Sequence, residues 1–249
     1  KEYQRAINEY SYIAEQYPKT NYALQAVTGA KTAFIESGRS MEYEDWAKKK
    51  GYTLSRTDSE ELAFIAAQKD FLNKNYTAAS KNFDSFLKKY PQTTREITSR
   101  YYLGESYFQI NQYDPAIAAL KPVASSPNEY QEEALVRLSQ IYLKQENDNE
   151  SRLSLEALYK ITSNEGYKSF AELELMYIYS DEKEYTKAQE MATKVLANSK
   201  NSATVKEQAN LIKARSLYTS GKTKEARTLF TNLESSKNNA VKAEALYYN

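Results

Sequence analysis

The side chains able to do chemistry in this chain are carboxylates, lysines, tyrosines, serines and threonines. The 249 residues include no histidine and no cysteine, which excludes Cys–His and Ser–His nucleophilic catalysis, disulfides, and nearly all zinc and iron–sulfur sites. Acidic groups such as Glu60-Glu61, Glu132-Glu133 and residues 181–184 could in principle act as general acids and bases. Each group lies at a predicted helix start or turn, where we expect a solvated carboxylate. We therefore predict no enzyme activity, no cofactor and no metal.

The charge balance argues against two further classes of partner. Lys and Arg number 34 against 33 Asp and Glu, so no overall field attracts nucleic acid or an acidic membrane surface. The basic runs 48–50 and 88–89 end predicted helices, where positive charge is favourable. The 6 glycines form no phosphate-cradling loop, and no apolar run reaches the roughly 18 residues of a membrane span. We expect neither nucleic-acid binding nor a membrane span.

Amphipathic helices joined by tight turns must position these side chains. One apolar stripe with helical spacing runs from Ile97 to Phe108, and a second runs from Ala116 to Val123. A turn-forming Asn111 separates them. One such hairpin cannot bury its own apolar faces, so it needs neighbours stacked on both sides.

The hairpin recurs along the chain. Each copy is marked by a tyrosine followed three residues later by a small residue. In some copies another residue replaces one or both of them. The pairs are Tyr3/Ala6, Tyr43/Trp46, Tyr76/Ala79, Tyr113/Ala116, Asn149/Arg152, Tyr185/Ala188 and Thr223/Ala226. The steps between their second members are 40, 33, 37, 36, 36 and 38 residues. A period of this size predicts an all-α, right-handed superhelical solenoid of about seven helix-turn-helix repeats.

We predict fourteen helices within a single superhelix that spans residues 1–249. Their predicted bounds are 2–17, 21–36, 41–50, 59–73, 76–89, 95–110, 114–125, 129–145, 149–163, 167–180, 184–198, 203–219, 222–235 and 239–249. The repeat pairs are 1–17 in part, 21–50, 59–90, 95–125, 129–163, 167–198, 203–235 and 239–249 in part. The first helix lacks an inner partner and the last lacks an outer one. We therefore expect a segment truncated within a repeat at both ends, with self-association through the uncapped ends.

Small residues at a fixed spacing carry a resemblance to a known family. A small inner-helix residue lies 12 residues before the outer-helix alanine, as in Ala67/Ala79, Gly104/Ala116 and Ala214/Ala226. Small side chains at both points let antiparallel helices approach closely. The pattern resembles the tetratricopeptide repeat over the whole chain, which implies a protein-interaction scaffold. The chain departs from it at Trp46, Arg152 and Met176.

A narrower resemblance concerns the cell compartment. In residues 10–26 and 83–94, an outer helix closes on Tyr-Pro before a polar residue and an inner helix. These stretches resemble repeats of bacterial envelope proteins, namely the Tol-Pal-associated periplasmic coordinator and the lipoprotein of the outer-membrane assembly machine. The resemblance implies a periplasmic or cell-envelope location. A cytoplasmic location is the alternative.

Each inner helix packs its apolar stripe into the core. The inner-helix residues outside that stripe are predicted to face a concave groove. They are Lys31, Phe34, Phe64, Gln68, Phe71, Tyr101, Glu105, Phe108, Tyr177, Arg215 and Tyr218. An aromatic ladder with scattered polar groups suits an extended peptide or a partner helix. Most of the 23 tyrosines are expected to pack between helices instead. The alternative function is that of a helical accessory region of a larger envelope enzyme, for example one that cleaves glycans.

Overall fold

Helices account for all the regular structure that the computed structural model describes, which covers residues 2–248. Fourteen α-helices and no strand occur in this range. The chain divides into two compact units, the first ending at Gln131 and the second beginning at Glu132. The prediction of an all-α repeat fold is confirmed.

The first unit contains seven helices, and an eighth begins at its boundary. They are α1 (Glu2–Gln16), α2 (Asn21–Glu36), α3 (Ser40–Lys49), α4 (Arg56–Leu72), α5 (Tyr76–Lys89), α6 (Glu96–Gln109) and α7 (Tyr113–Ala124). The second unit comprises α8 (Gln131–Lys144), α9 (Asp148–Ile161), α10 (Glu165–Asp181), α11 (Tyr185–Ala197), α12 (Ala203–Thr219), α13 (Thr223–Leu233) and α14 (Asn239–Tyr248). Within each unit successive helices contact each other, as α4 and α5 or α12 and α13 do, and inner helices such as α4 and α6 or α10 and α12 also contact each other.

A side-chain cap accounts for the earlier start of α4. We expected one helix to begin at residue 59, but α4 begins at Arg56 because Ser55 is its N-cap. The backbone N–H of Asp58 donates to Ser55 Oγ over 3.1 Å. A serine hydroxyl at this position satisfies one of the N–H groups that a helix start leaves unpaired.

One turn geometry joins inner to outer helix throughout the chain. A residue with positive φ follows each inner helix from α2 to α12, at Gly38, Lys74, Asn111, Glu146, Lys183 and Gly221. In each turn the next residue donates its N–H to the carbonyl five residues earlier, as from Asn75 to Asp70 over 2.8 Å. This is the Schellman motif of helix C-termini. These six positions are 36, 37, 35, 37 and 38 residues apart, which confirms the period on backbone geometry alone.

The close approach of inner and outer helices is also confirmed. Ala67, Ala79, Ala214 and Ala226 are fully buried. At Gly104 an added Cβ would lie 2.5 Å from Leu120 Cγ and 3.3 Å from the carbonyl oxygen of Ala116. Only a glycine lets α6 and α7 pack this closely without rearrangement.

The assignment of Arg152 to the small outer-helix position is wrong. The buried position lies five residues after the positive-φ residue, and in α9 that is Ser151, which is fully buried. Arg152 instead pairs with Glu156 and Glu182 at 3.2 Å. The error arose because α9 has no tyrosine at the position used to set the register.

The assignment of Trp46 to the small position is wrong too. In α3 that position is held by Tyr43, whose hydroxyl donates to the carbonyl of Val27 over 2.9 Å. Ala47, fully buried, stands one turn later, where α5 has Phe83. The small and the large side chain have therefore exchanged places in α3.

A similar compensation accompanies Met176. This methionine occupies the small inner position of α10 and is fully buried. On α11, Ala192 stands where Phe83 stands in α5, and it is also fully buried. A larger inner residue thus coincides with a smaller outer one, which conserves core volume.

A hydrogen bond between repeats recurs near the start of the inner helices. Thr93 Oγ1 donates to Glu60 over 2.5 Å, Thr162 Oγ1 to Glu132 over 2.8 Å, and Ser236 Oγ to Glu207 over 3.0 Å. In α10 a serine replaces the glutamate, and Asn198 Nδ2 donates to Ser169 Oγ over 2.8 Å. The interpretation of Glu60 and Glu132 as merely solvated is therefore wrong, because each bonds to the loop that follows its own hairpin.

Candidate functional site

Two of the predicted groove residues belong to the core. Phe34 is 2% exposed and Phe64 is 4% exposed. The ring of Phe64 lies 6.0 Å from that of Phe83, and the ring of Phe34 lies 5.8 Å from that of Tyr43. Predicting these two side chains to face a groove is wrong, because a small error in helix phase turns a side chain from the surface into the core.

Lys31 joins two successive inner helices of the first unit. Its Nζ donates to Glu61 over 2.6 Å and to Asp58 over 3.1 Å, which links α2 to α4. Burial lowers the pKa of Lys31, but the hydrogen bonds with Glu61 and Asp58 outweigh it, so the pKa is raised. This charge is already satisfied within the chain.

Aromatic rings of the first unit pack against each other. Phe71 lies 4.6 Å from the ring of Tyr102. Tyr101 stacks on Tyr130 at 4.4 Å with an interplanar angle of 13°. Burial, together with a hydrogen bond with Tyr102, raises the pKa of Tyr130 to about 12. We name Phe71, Tyr101, Tyr102 and Tyr130 the aromatic cluster.

The remaining predicted residues of the first unit are also partly or wholly enclosed. Gln68 and Phe108 are half-buried, and the ring of Phe108 lies 6.1 Å from that of Tyr113. Glu105 is buried and accepts a hydrogen bond from Gln109 Nε2 over 2.8 Å. None of these side chains stands out into solvent.

The second unit presents its predicted residues differently. Arg215 on α12 pairs with Glu244 on α14 through two guanidinium nitrogens. One turn later Tyr218 is 45% exposed, with its ring 5.0 Å from that of Tyr248. Tyr177 on α10 is half-buried, and its pKa is raised by burial and by the nearby Glu174.

A cavity of 230 Å³ brings Arg215 and Tyr218 together with residues of the α10–α11 turn. We name it the Tyr218 cavity, and its lining includes Asp181, Lys183, Tyr185, Arg215, Tyr218 and Tyr248. It offers aromatic surface beside both signs of charge. Tyr177 is not among the residues that line it.

The sequence analysis missed the partners of these groove residues. Tyr130 follows Tyr101 by 29 positions and Tyr248 follows Tyr218 by 30, while Glu244 follows Arg215 by 29. This spacing joins equivalent faces of successive repeats. A search for complementary residues at an offset of 29 or 30 would have found all three.

Two kinds of feature are absent from the described residues. Among residues 2–248 no group of three or more His, Cys, Asp or Glu side chains is arranged to hold a metal ion. Within the same range, none of the helices combines the length and apolar character that crossing a membrane requires.

One stretch of the chain matches a known repeat family. Residues 98–125, which include most of α6 and all of α7, match the tetratricopeptide repeat family. The structure is similar to the C-terminal part of a TPR repeat-containing protein from Cytophaga hutchinsonii, with a TM-score of 0.50 and 18% identity over 85% of this chain and 77% of that one. This similarity shows the fold.

A second similar structure, from work on the Pseudomonas aeruginosa pilF protein, has a TM-score of 0.49 and 14% identity, with all of both chains covered. A comparison with curated proteins gives no match.

Proposed function

We propose that this protein is a non-catalytic scaffold that binds an extended peptide or a helix of a partner protein. Tetratricopeptide repeats generally serve protein interaction, and the α6–α7 hairpin matches that family. The observation that carries the proposal is the exposure of Tyr218 beside Arg215 in the Tyr218 cavity. Tyrosine and arginine are enriched among the residues that dominate binding energy.

The Tyr218 cavity is a better candidate for a partner contact than the aromatic cluster. In the cluster the rings already contact one another, so a partner gains little new apolar burial there. Tyr218 keeps nearly half of its surface in water, and the pair with Glu244 holds the Arg215 guanidinium in one orientation. A partner side chain that packs on Tyr218 therefore meets a preorganised surface, which lowers the entropic cost of binding.

A peptide library tests this proposal directly. Random peptides displayed on phage are selected against the immobilised full chain, and the enriched peptide is synthesised with a fluorophore. Its affinity is then measured by fluorescence anisotropy for wild type, Tyr218→Ala and Leu153→Ala. Leu153 on the outer helix α9 is 48% exposed and serves as a control of matched exposure.

We expect Tyr218→Ala to weaken binding about tenfold or more, equal to about 1.4 kcal/mol. Leu153→Ala should leave the affinity unchanged. The reverse pattern, with Leu153→Ala weakening binding and Tyr218→Ala without effect, would place the binding surface on the outer helices and overturn this assignment.

We also propose that the scaffold works in the bacterial cell envelope. The support is the resemblance of the two Tyr-Pro stretches to repeats of envelope proteins. In the structure both stretches form the same kind of turn, with the residue after the proline at positive φ, Lys19 at 63° and Gln92 at 67°. Fractionation of the source cells is the test, and strictly cytoplasmic protein would refute the location.

A further inference from the structure

A second cavity lies beside the first half of α10, next to the loop that joins α11 to α12. Its volume is 610 Å³, within the range of small-molecule sites, roughly 300–1,000 Å³. The residues that matter for its chemistry are Lys168, Ser169, Glu172, Lys194, Asn198 and Lys200. All belong to the second unit, and none takes part in the Tyr218 cavity. We name it the Glu172 cavity.

A departure from the repeat pattern in α10 accounts for the larger volume of this cavity. The equivalent site beside α4 is a cavity of 370 Å³, and its lining includes Glu60 and Thr93, which bond to each other. In α10 the shorter Ser169 stands in the place of Glu60. One turn further along, where α4 has the neutral Ala63, α10 has Glu172. The acidic group has thus moved one turn along the inner helix.

The Glu172 side chain is largely buried and has no hydrogen-bond partner among the described residues. Its side chain belongs to a residue that is only 9% exposed, and among the described residues it accepts no hydrogen bond and forms no ion pair. Glu105, buried to a similar extent, does accept a hydrogen bond. Burial raises the pKa of Glu172, although Lys194 and Lys168 act in the opposite direction. The Glu172 oxygens are not among the fully enclosed, unpaired polar atoms of the described residues. The carboxylate therefore opens onto the cavity, where a bound group can donate a hydrogen bond to it.

Lysines on the same cavity supply the opposite charge. Lys194 lies 3.7 Å from Glu190 and 5.4 Å from the centre of the Tyr159 ring. Lys168 and Lys200 form no ion pair with any residue in the described range. Two ammonium groups without an ion pair therefore line the cavity beside the Glu172 carboxyl group, which Lys194 and Lys168 attract.

We propose that the Glu172 cavity binds a small zwitterion of amino-acid size, whose ammonium group pairs with Glu172 and whose carboxylate contacts Lys168 and Lys200. A ligand that carries only cationic groups is repelled by the lysines. A ligand that carries only anionic groups is repelled by Glu172. A zwitterion satisfies both sets of charges. This site is independent of the peptide binding proposed above.

Three probes of similar length but different charge separate these cases. L-lysine carries ammonium groups and a carboxylate, cadaverine carries two ammonium groups, and glutarate carries two carboxylates. Each is titrated at millimolar concentration into the ¹⁵N-labelled full chain, and the backbone amide signals of Gly166 and Ser169, both in the cavity lining, are followed by NMR. We expect L-lysine to shift them with an affinity about tenfold higher than that of either other probe.

Variants decide which groups hold the ligand. Glu172→Gln should weaken L-lysine binding about tenfold or more, and Lys168→Met should weaken it as well. Glu60→Gln, in the equivalent cavity of α4, is the control and should leave it unchanged. Glu172→Gln removes an unpaired buried charge, so we expect the fold to persist, and the dispersion of the amide signals reports this.

Several results would overturn the proposal. They are the absence of L-lysine shifts at the cavity amides, L-lysine binding to Glu172→Gln with wild-type affinity, and glutarate or cadaverine binding as tightly as L-lysine. If Glu172→Gln fails to fold, Lys168→Met decides, and unchanged binding in that variant would refute the lysine contact.

Discussion

The inner helices of the two units both carry aromatic side chains, but the packing of these side chains differs between the units. In the first unit Phe71 and Tyr101 contact neighbouring rings of the aromatic cluster. In the second unit Tyr218 touches Tyr248 with its ring edge and remains 45% exposed. A periodic aromatic stripe therefore does not by itself distinguish packing from recognition. The residue that lies one repeat further along the chain determines whether an aromatic side chain is packed or remains exposed.

The largest expected difference concerns the buried aromatic side chains. Phe64→Ala should lower the free energy of unfolding by about 3–5 kcal/mol, because it opens a cavity among Phe83 and Phe86. Tyr218→Ala should lower it by about 1 kcal/mol or less, since that ring is largely solvated. Urea denaturation followed by circular dichroism measures both. Equal losses would contradict the assignment of Phe64 to packing and Tyr218 to binding.

The close contact at Gly104 should produce the next largest effect. Gly104→Val should cost about 2–3 kcal/mol, because the new side chain overlaps Leu120 and the carbonyl of Ala116. In the second unit the equivalent residue is Ala214, where the site already accommodates a Cβ. Ala214→Val is therefore expected to cost less than Gly104→Val in the same denaturation experiment. A larger cost at position 214 would show that the two repeats do not differ in helix spacing as the structure indicates.

Reciprocal substitutions at the repeated turn should change the stability of the two units in opposite directions. Lys74→Gly should raise the free energy of unfolding by about 1 kcal/mol, because a residue with a Cβ is strained at the φ of 60° found there. Gly221→Ala should lower the free energy of unfolding by about 1 kcal/mol, because the new Cβ is strained at the positive φ of Gly221. The added Cβ lies within 4 Å of no other atom, so a steric clash does not contribute. Lys74→Ala keeps the Cβ and is the control. Stabilisation by Lys74→Ala would show that loss of the lysine charge, and not backbone strain, is responsible.

Two carboxyl groups should give the units opposite responses to acid. The hydrogen bond from Ser55 and the pair with Lys31 lower the pKa of Asp58 below 3.8, so its stabilising contribution is present above pH 3.8 and is lost as the pH falls through the lowered value. Burial raises the pKa of Glu172 above 4.5. Its effect is most favourable below pH 4.5, and stability is lost as the pH rises through the raised value.

The contribution of Asp58 is small, because its side chain is substantially solvated. Thermal denaturation at a series of pH values measures them. Asp58→Asn should reduce the loss of melting temperature in acid, and Glu172→Gln should raise the melting temperature near neutral pH. A fall in the melting temperature of Glu172→Gln near neutral pH would show that this carboxylate has a stabilising partner.

The sequence predicts the helices and the period well, because apolar spacing and turn residues act locally. It does not predict which face of a helix is buried when a repeat departs from the pattern. The exchange of sizes between Tyr43 and Ala47 is one such case, since it depends on contacts across two helices. Phe34 and Phe64 are buried instead of facing a groove because a small error in helix phase changes which side chains point into the core. The Glu172 cavity was also missed, because it depends on Ser169 in place of a glutamate.

The most direct test of the proposed binding function is photo-crosslinking from defined positions. A photoreactive benzoylphenylalanine replaces Tyr218 in one sample and Leu153, of matched exposure, in another, and each is irradiated with the peptide selected from the phage library. We predict a crosslinked product from position 218 and none from position 153. A product from position 153 alone would contradict the assignment of the binding surface to the inner helices.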